Sequence, residues 1–240
     1  MRLYFRPFFG LTCITLIMLG VLIALGTWQY HRLQWKTALV SDIEYAAKAP
    51  PFRSLSDVSH ALEAGEPVDF RRIYLRELTT EDAPAYHVFS PQDRTLLWRP
   101  FQLVRQGQMR VFISLAPFLD EDKLAPPLRR IEGEEFAGYV RLSRKISSFV
   151  RHSPNNNRWY GFNPMPETHS WSEGVSGPVD MRIFIETVTP PIQGRELPVK
   201  IPVIANNHFD YMLTWYGLAF TLLCFYIIIH RQSARLGRRA

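Results

Sequence analysis

The chain has 240 residues, with 28 Lys and Arg residues, 22 Asp and Glu residues and two cysteines. That length allows one sizeable domain in addition to membrane anchors. The net charge of +6 is matched by six arginines in the terminal segments, Arg2, Arg6, Arg231, Arg235, Arg238 and Arg239. Basic tails beside apolar segments are typical of membrane proteins. The charge therefore does not indicate a nucleic-acid-binding surface, and we expect no nucleic-acid partner.

Two apolar segments lie near the ends of the chain, at 7–30 and 211–229. The second has 19 residues and no charge. At about 1.5 Å per residue it crosses a hydrocarbon core of about 30 Å. We predict five consecutive parts: a cytoplasmic lead at 1–9, a transmembrane helix at 10–30, a periplasmic β-rich domain at 31–208, a second transmembrane helix at 209–229 and a basic cytoplasmic tail at 230–240.

The positions of the basic tails predict the orientation in the membrane. Positive tails stay in the cytoplasm, so both termini are expected there and the central domain on the opposite side. The short lead before Pro7 leaves no room for an organelle transit peptide, and the expected location is a bacterial inner membrane. The first apolar segment could instead be a cleaved signal peptide. It is longer than the 7–15 residues or so of a signal h-region, which favours a retained helix.

The first helix is predicted to continue past the membrane into Ile43, because apolar residues recur at helical spacing, and to end before Pro50. Gly20 and Ala24 are four residues apart and share a helix face. Small residues so spaced let helices approach closely in lipid, which predicts packing of that face against the second helix. A short helix is predicted at 54–64, with Ser54 or Ser56 as its N-cap.

From residue 68 onward the hydrophobic period changes to two, as in half-buried strands. The alternation predicts strands near 68–75, 86–89, 96–104, 109–115, 136–142 and 181–187. A phase shift at Arg71 and Arg72 predicts a β-bulge in the first of these strands. The expected fold class is an α+β membrane protein, in which two transmembrane helices flank an outer antiparallel β-barrel-like domain with one or two short helices.

A long irregular segment at 153–177 separates the last two predicted strands. Loops of that length are usually functional or disordered, and the aromatic residues Trp159, Tyr160 and Trp171 favour order. The sequence leaves open whether this loop folds over the barrel or onto the membrane.

The sequence contains no local motif for a phosphate-binding loop, a catalytic nucleophile or a metal site. No two of the seven histidines share a metal-ligand spacing, and Cys13 and Cys224 lie inside the apolar segments. We therefore do not expect an enzyme or a metal site built from a local motif.

His208 stands directly before the second apolar segment, which carries Tyr211, Trp215 and further apolar residues at helical spacing. This arrangement places an imidazole above a flat apolar surface at the membrane edge. Haem is a flat apolar ring that needs axial ligands for its iron and cations for its propionates, so His208 could ligate haem iron. Alternatively, the histidine and the aromatic residues only mark the membrane interface.

On the first helix, His31 is expected at the same depth as His208 and could act as a second ligand. Arg32 and Lys36 follow it, and either cation could neutralise a propionate. These three assignments depend on position along the helix.

Four segments resemble the surfeit-locus-1 (Shy1-like) family. Residues 25–36, LGTWQYHRLQWK, resemble the LGxWQxxRxxWK pattern that ends the family's first helix. Residues 206–219, NNHFDYMLTWYGLA, resemble its NxHxxYxxTWxxLA entry into the second helix. Residues 138–141, GYVR, and 154–160, PNNNRWY, resemble two central passages. The resemblance spans the chain, with the two terminal motifs in the right order.

The resemblance implies a non-enzymatic assembly factor that receives haem a and assists its insertion into the catalytic subunit of a haem–copper oxidase. The haem-contacting positions of the family fall on His208, Tyr211 and Trp215, whereas His31 is not part of the family pattern. The implied partners are the membrane, the catalytic subunit of a cytochrome or quinol oxidase and, as a further possibility, haem a synthase.

The sequence departs from the family in two places. Residues 114–119 read SLAPFL where the family usually has NRGWVP, and residues 84–86 read PAY in place of PGY. These departures leave the choice between a cytochrome and a quinol oxidase open. An alternative function is a cofactor-free membrane scaffold that holds oxidase subunits during assembly, with Trp159, Tyr160 and Trp171 as docking residues. A membrane-bound enzyme would need His87, His152 or His169 beside a carboxylate.

Overall fold

The computed structural model describes residues 2–91, 95–122, 126–143, 149–162, 171, 175, 177–188, 197–233 and 235–239. The chain forms two compact units, one made of Met1–Ser41 with Val203–Ala240 and the other of Asp42–Pro202. Within these described residues, the first unit contains two apolar helices, and the second contains a β-barrel-like sheet with one short helix. The predicted fold class is therefore confirmed.

In chain order the elements are β1 (Arg2–Phe5), α1 (Phe9–Lys48), α2 (Leu55–Glu63), β2 (Arg72–Thr80), β3 (Tyr86–Phe89), β4 (Leu97–Gln106), β5 (Met109–Ser114), β6 (Phe118–Leu119), β7 (Glu132–Leu142), β8 (Arg158–Trp159), β9 (Val179–Thr187), α3 (His208–Gln232) and β10 (Leu236–Arg239). Single turns of 3₁₀-helix lie at Asp120–Asp122 and Pro154–Asn156.

Helix α1 continues past the apolar segment and ends directly before Ala49-Pro50-Pro51, as predicted. Proline lacks the amide hydrogen that a further helical turn would need, and it disfavours a helical residue before it. The last turns of α1 belong to the second unit, where Ile43, Ala46 and Ala47 are buried.

Helices α1 and α3 are long and apolar enough to cross a membrane. In the most apolar 18-residue stretch of each helix, only 11% of α1 and 6% of α3 is buried. A core helix of a water-soluble protein buries most of its apolar side chains. The large exposed apolar surface of these two helices instead favours a lipid environment.

The two ends of the chain pair with each other. Strands β1 and β10 form an antiparallel two-stranded sheet, with Arg2 opposite Arg239 and Phe5 opposite Leu236. The amide of Arg6 donates to the carbonyl of Arg235 at 2.9 Å and extends this pairing. The start of α1 and the end of α3 are thereby held together, a contact that the sequence pattern of two basic tails does not predict.

Five strands of the second unit form a closed ring. Around the ring the order is β2, β7, β9, β5 and β4, and β4 pairs back to β2 at Thr79–Arg105 and Thr80–Val104. Strands β3, β8 and β6 extend the sheet from β4. Among the described ladders, β5–β9 and β3–β8 are parallel and the others are antiparallel. The predicted curled sheet is thus a small barrel with a lateral extension. It is a mixed sheet, so the prediction of antiparallel pairing was wrong for these two ladders, because alternation along one strand does not specify the direction of its partner.

The barrel interior and helix α2 form one hydrophobic core. Helix α2 begins at the predicted serine cap, where Ser54 and Asp57 make a capping box. Its buried residues Leu55 and Val58 join inward-facing strand residues such as Ile113 and Ile185. Successive strand residues point to opposite sides of a sheet, so the alternation in the sequence selects this inner face correctly.

A second, aromatic core covers the outer face of β4 and β5. Leu103 and Phe112 point to this side and pack with Trp159, Phe162 and Trp171. The rings of Trp171 and Tyr86 stack at a centroid distance of 4.1 Å. The described part of the predicted 153–177 loop therefore folds over the barrel. Residues 163–170, 172–174 and 176 of that loop lie outside the described residues.

The prediction of a strand at 68–70 with a bulge at Arg71 and Arg72 was wrong. Phe70 has a φ of 67° and lies in a turn before β2 begins. The bulge lies further on, between Leu75 and Leu78, where Glu77 has a φ of 57°. The change of hydrophobic phase at 70–73 therefore marks the turn that leads into β2.

The GYVR segment lies in β7, and its residues Gly138 and Arg141 both contact the neighbouring strand β9. A Cβ added at Gly138 would lie 2.7 Å from the carbonyl oxygen of Glu186, so only glycine allows this close approach of the strands. Three positions later, Arg141 donates to Asp69 Oδ1 at 3.0 Å and to Glu186 Oε2 at 2.6 Å. Lys200 donates to Glu186 Oε1 at 2.8 Å.

This ion-pair network makes stability dependent on pH. Burial by itself raises the pKa of Glu186, but the hydrogen bond and charge of Lys200 and the charge of Arg141 outweigh it, so its pKa lies below the ordinary 4.5. A carboxylate with a lowered folded-state pKa stabilises fully above its ordinary pKa, and this contribution is lost as the pH falls through the folded-state pKa.

We predict that Glu186→Gln lowers the free energy of unfolding by about 2 kcal/mol at neutral pH, because it breaks a largely buried ion pair but keeps hydrogen-bonding atoms. Urea unfolding of the full chain in detergent, followed by tryptophan fluorescence, measures this difference. The difference should shrink below about pH 4.5. The control is Glu132→Gln, which removes an exposed ion pair with Arg130 and should cost little. A pH-independent difference between wild type and Glu186→Gln would contradict the assignment.

Candidate functional site

Helices α1 and α3 contact each other antiparallel along a narrow seam. On α3 seven of the eight less exposed residues recur at intervals of three and four, and Cys224 is the exception; the seven are His208, Met212, Trp215, Ala219, Leu222, Tyr226 and His230. On α1 the same spacing links Thr12, Thr15, Leu19, Leu22, Gly26, Gln29, Leu33 and Lys36. A repeat that averages 3.5 residues keeps one stripe of a helix against its partner, as in a coiled coil.

Polar contacts join α1 and α3 at the end of the seam nearest the two chain termini. Thr12 Oγ1 and Tyr226 OH lie 2.8 Å apart. His230 is fully buried, donates from Nδ1 to the carbonyl of Tyr226 and accepts at Nε2 from the amide of Phe8. These bonds satisfy polar groups that lipid could not hydrogen-bond.

Close packing near the other end of the seam depends on Gly26. A Cβ at this position would lie 2.7 Å from Cε1 of Tyr216. The hydroxyl of the same tyrosine is 3.1 Å from Thr27 Oγ1. The prediction that Gly20 and Ala24 form the packing face was wrong, because both residues are exposed and no atom lies within 4 Å of a Cβ added at Gly20. The small residue at the contact is Gly26, six positions later.

His208 is the first residue of α3, and its Nδ1 lies 2.7 Å from Oε1 of Gln29 on α1. An amide oxygen can only accept a hydrogen bond, so Nδ1 carries the proton and donates it. The lone pair of the neutral ring then resides on Nε2, for which the described residues offer no hydrogen-bond partner. The side chain is partly exposed. The pair therefore fixes the tautomer and orientation of an imidazole with one available nitrogen.

Two cations of α1 act electrostatically on the His208 ring, Lys36 and Arg32. Lys36 Nζ donates to the carbonyl of Ala205 at 2.5 Å, which ties α1 to the segment that precedes α3. The guanidinium of Arg32 is exposed and lies 4.1 Å from the centroid of the Trp35 ring. Among the described residues, Arg32 has no carboxylate partner.

The structure separates the other residues predicted for the site. Trp215 shares the seam with His208 and is partly buried, whereas the Tyr211 side chain is 56% exposed and lies off the seam. His31 is two residues from Gln29, which turns it to another face of α1. His31 is exposed, and its ring centroid lies 5.8 Å from that of Tyr30. His208, Trp215 and the cations of α1 are thus brought to one end of the helix pair, and His31 is not part of that arrangement.

Gln29 is the residue that the sequence analysis missed. It is one of the few buried polar residues of α1, with 9% of its surface exposed. The signal was present, since Gln29 occupies the same three-and-four repeat as Gly26 and Leu33, and a polar residue inside an apolar stripe normally has a specific partner.

His87 and His152 of the second unit, where the structure describes both, contact aromatic and backbone groups. The ring of His87 packs edge-on against Phe118 at 5.0 Å, and burial lowers its pKa. His152 Nδ1 accepts from the amide of Tyr160 at 3.0 Å. His169 lies outside the described residues. In the part of the chain that the structure describes, no three His, Cys, Asp or Glu side chains are grouped as a metal site.

The PNNNRWY segment has a structural role. Asn157 adopts a left-handed conformation, and its side chain bonds to the backbone of Ala85 and His87 and to the indole of Trp159. Trp159 and Trp171 are 4% and 1% exposed, so the prediction of these two as docking residues was wrong. Tyr160, at 42% exposure, remains accessible.

Comparison with known proteins gives consistent matches over most of the chain. A model of the SURF1 family matches residues 16–220. Surfeit locus protein 1 of Mus musculus is 27% identical over 214 residues, covering 81% of this chain and 67% of that protein. A SURF1-like protein of Monosiga brevicollis is 27% identical over 239 residues, covering 92% and 88%. A SURF1-like protein of Rickettsia felis is 24% identical over 227 residues, covering 91% and 96%.

We predict that Gly26→Ala loosens the helix pair, because a methyl group inserted into a tight contact typically costs about 1–3 kcal/mol. Spin labels at the exposed positions Leu16 and Leu223, in a chain with serine in place of Cys13 and Cys224, report the helix separation by pulsed electron paramagnetic resonance. Their distance distribution should broaden and lengthen in the Gly26→Ala variant.

Gly20→Ala is the matched control for this experiment and should leave the distribution unchanged, since the added methyl meets open space. Adding Tyr216→Leu to Gly26→Ala removes the ring and should restore the wild-type distribution. Equal effects of the two glycine substitutions would show that Gly26 is not the contact point.

Proposed function

The chain belongs to the SURF1 family, a family of cytochrome oxidase assembly factors, and on this premise we propose that it binds haem a transiently and assists its insertion into the catalytic subunit of a haem–copper oxidase. The observation that carries the proposal is the His208–Gln29 pair at the start of α3. The two residues lie in the two segments that resemble the family's helix-end patterns.

The residues at this end of the helix pair fit a haem. Histidine that ligates a metal usually donates its second N–H to an oxygen acceptor, which fixes the ring and raises its basicity. Here Gln29 Oε1 accepts from Nδ1, and Nε2 remains for the iron. A single imidazole at the end of a helix pair, partly open to solvent, is suited to a ligand that must be released again.

The neighbouring groups match the other parts of a haem. The exposed Tyr211 lies four residues before Trp215, so the two aromatic side chains are on the same side of α3 and offer an apolar surface near His208. Arg32 and Lys36 supply positive charge near His208, as propionates require. The bound haem would contribute an iron that accepts the imidazole nitrogen, and the protein would contribute orientation and charge compensation.

We further propose a bacterial inner membrane location, with both termini in the cytoplasm and the β-barrel domain in the periplasm. The basic residues of both terminal segments support this orientation. The pairing of β1 with β10 is consistent with termini on one side of the membrane. The proposed partners are the catalytic subunit of the oxidase and, for loading, the enzyme that makes haem a.

We predict that His208→Ala, purified as the full chain in detergent from cells that make haem a, loses the haem that co-purifies with wild type. The absorption spectrum of the pyridine complex, normalised to protein, measures the loss. His31→Ala is the matched control, because it removes an exposed histidine two residues from Gln29 and should retain most of the haem. Full retention in His208→Ala would refute ligation by this residue. A colourless wild-type protein that still captures the oxidase core would favour the scaffold function instead.

We predict that Gln29→Leu weakens haem binding by about tenfold or more, the usual effect of removing the acceptor behind a ligating histidine. Gln29→Glu keeps an oxygen acceptor and should bind haem nearly as well as wild type. Titration of each purified variant with haem, followed by the Soret band, gives the affinities. If the leucine and glutamate variants bind equally, Gln29 does not orient His208.

A further inference from the structure

A cavity of about 320 Å³ lies in the second unit, on the outer face of the barrel. It opens beside β4, β5 and β9 and lies against Phe162 of the segment that covers this face. None of its lining residues belongs to α1 or α3, so the cavity is distinct from the proposed haem site.

Phenylalanine side chains form one side of the cavity. Phe101 on β4, Phe184 on β9 and Phe162 form a cluster with ring-centroid distances of 5.0–5.3 Å. Val88 contributes a further apolar surface. Such walls would hold the apolar body of a small molecule.

Ser114 lines this cavity and is only 1% exposed. Its Oγ is buried and, within the described part of the chain, makes no hydrogen bond. The neighbouring Ile113 points into the barrel, so Ser114 faces the cavity side of β5. A buried hydroxyl without a partner costs stability, and native proteins contain few such groups. Because the Oγ itself is closed off from the cavity, the hydroxyl reaches a ligand there by rotation about χ1, and this serine is a candidate contact in that rotamer.

Charge inside the cavity favours an anion. Arg141 and Glu186 line it, but they are paired with each other and with Asp69 and Lys200, so that network sums to zero. Arg99 also lines the cavity. Its Nε donates to Ser90 Oγ at 3.2 Å and its Nη1 to the carbonyl of Leu115 at 3.4 Å, both of them neutral acceptors. Among the described residues no carboxylate pairs with Arg99, which leaves one uncompensated positive charge.

We propose that this cavity binds a small organic acid, with its carboxylate against Arg99 and Ser114 and its apolar body against the phenylalanine cluster. Guanidinium groups recognise carboxylates through paired hydrogen bonds, and a serine hydroxyl can donate a third. The volume is at the lower end of the range of about 300–1,000 Å³ for ligand pockets, so the ligand is a compact molecule of one ring or a short chain.

The test uses para-fluorophenylacetate as the probe and the full chain in detergent. Fluorine NMR line broadening on titration gives the dissociation constant. The neutral amide of the same acid is the control ligand. We expect the amide to bind about 10- to 100-fold more weakly, because it lacks the charge that Arg99 compensates.

Two variants test the polar contacts. Arg99→Gln should weaken binding of the acid about tenfold or more while leaving that of the amide unchanged, and Arg99→Lys should retain part of the affinity. Ser114→Ala should lower affinity about three- to tenfold without lowering the unfolding midpoint of the free protein, because the hydroxyl has no partner there. Arg76→Gln, at an exposed arginine of β2, is the control for charge removal.

The proposal is overturned if the acid and the amide bind equally, or if Arg99→Gln or Ser114→Ala binds the acid as wild type does. It is also overturned if Arg76→Gln weakens binding as much as Arg99→Gln, since the effect would then report net charge. Haem retention by these variants distinguishes this failure from that of the proposed function, because none of the substituted residues lies in the helix pair.

Discussion

Close approach of two apolar helices is the constraint on which the first unit depends. Tyr216 can lie against α1 only because position 26 has no side chain. This contact holds the helices near enough for Gln29 to reach His208 across the seam. A hydrogen bond between two neutral side chains contributes only about 0.5–1.5 kcal/mol, so it cannot hold the helices together by itself. Its value is geometric, because it selects one tautomer and one orientation of a partly exposed imidazole.

In the second unit the main constraint is different, because strands β4 and β5 are apolar on both faces of the sheet. Strands β4 and β5 bury Val104 and Ile113 on the inner face and Leu103 and Phe112 on the outer face. The inner face is closed by the ring of strands and helix α2. The outer face needs a separate cover, which Trp159, Phe162 and Trp171 provide. The ion-pair network of Arg141 lies at the edge of this second layer, and so does the cavity with Ser114.

The sequence predicted those features that follow from local chemistry. The end of α1 at the prolines, the serine cap of α2 and most strands were read correctly, because each depends on a few adjacent residues. The features it did not predict depend on partners. Gly20 and Gly26 look alike in sequence, and only the position of Tyr216 distinguishes them. His208 was identified from its place before an apolar segment, whereas Gln29, which orients it, belongs to a helix 179 positions away.

The two proposed sites differ in how they expose an unpaired polar atom, and this difference bears on what each can do. His208 Nε2 belongs to a partly exposed side chain, so water can occupy its place and a ligand can leave at little cost. Ser114 Oγ is fully buried, so the hydroxyl gains a partner only when a ligand enters the cavity and the side chain rotates toward it. The first arrangement suits a cargo that is handed on. The second suits a ligand that stays bound, since its departure would again leave a buried hydroxyl unsatisfied.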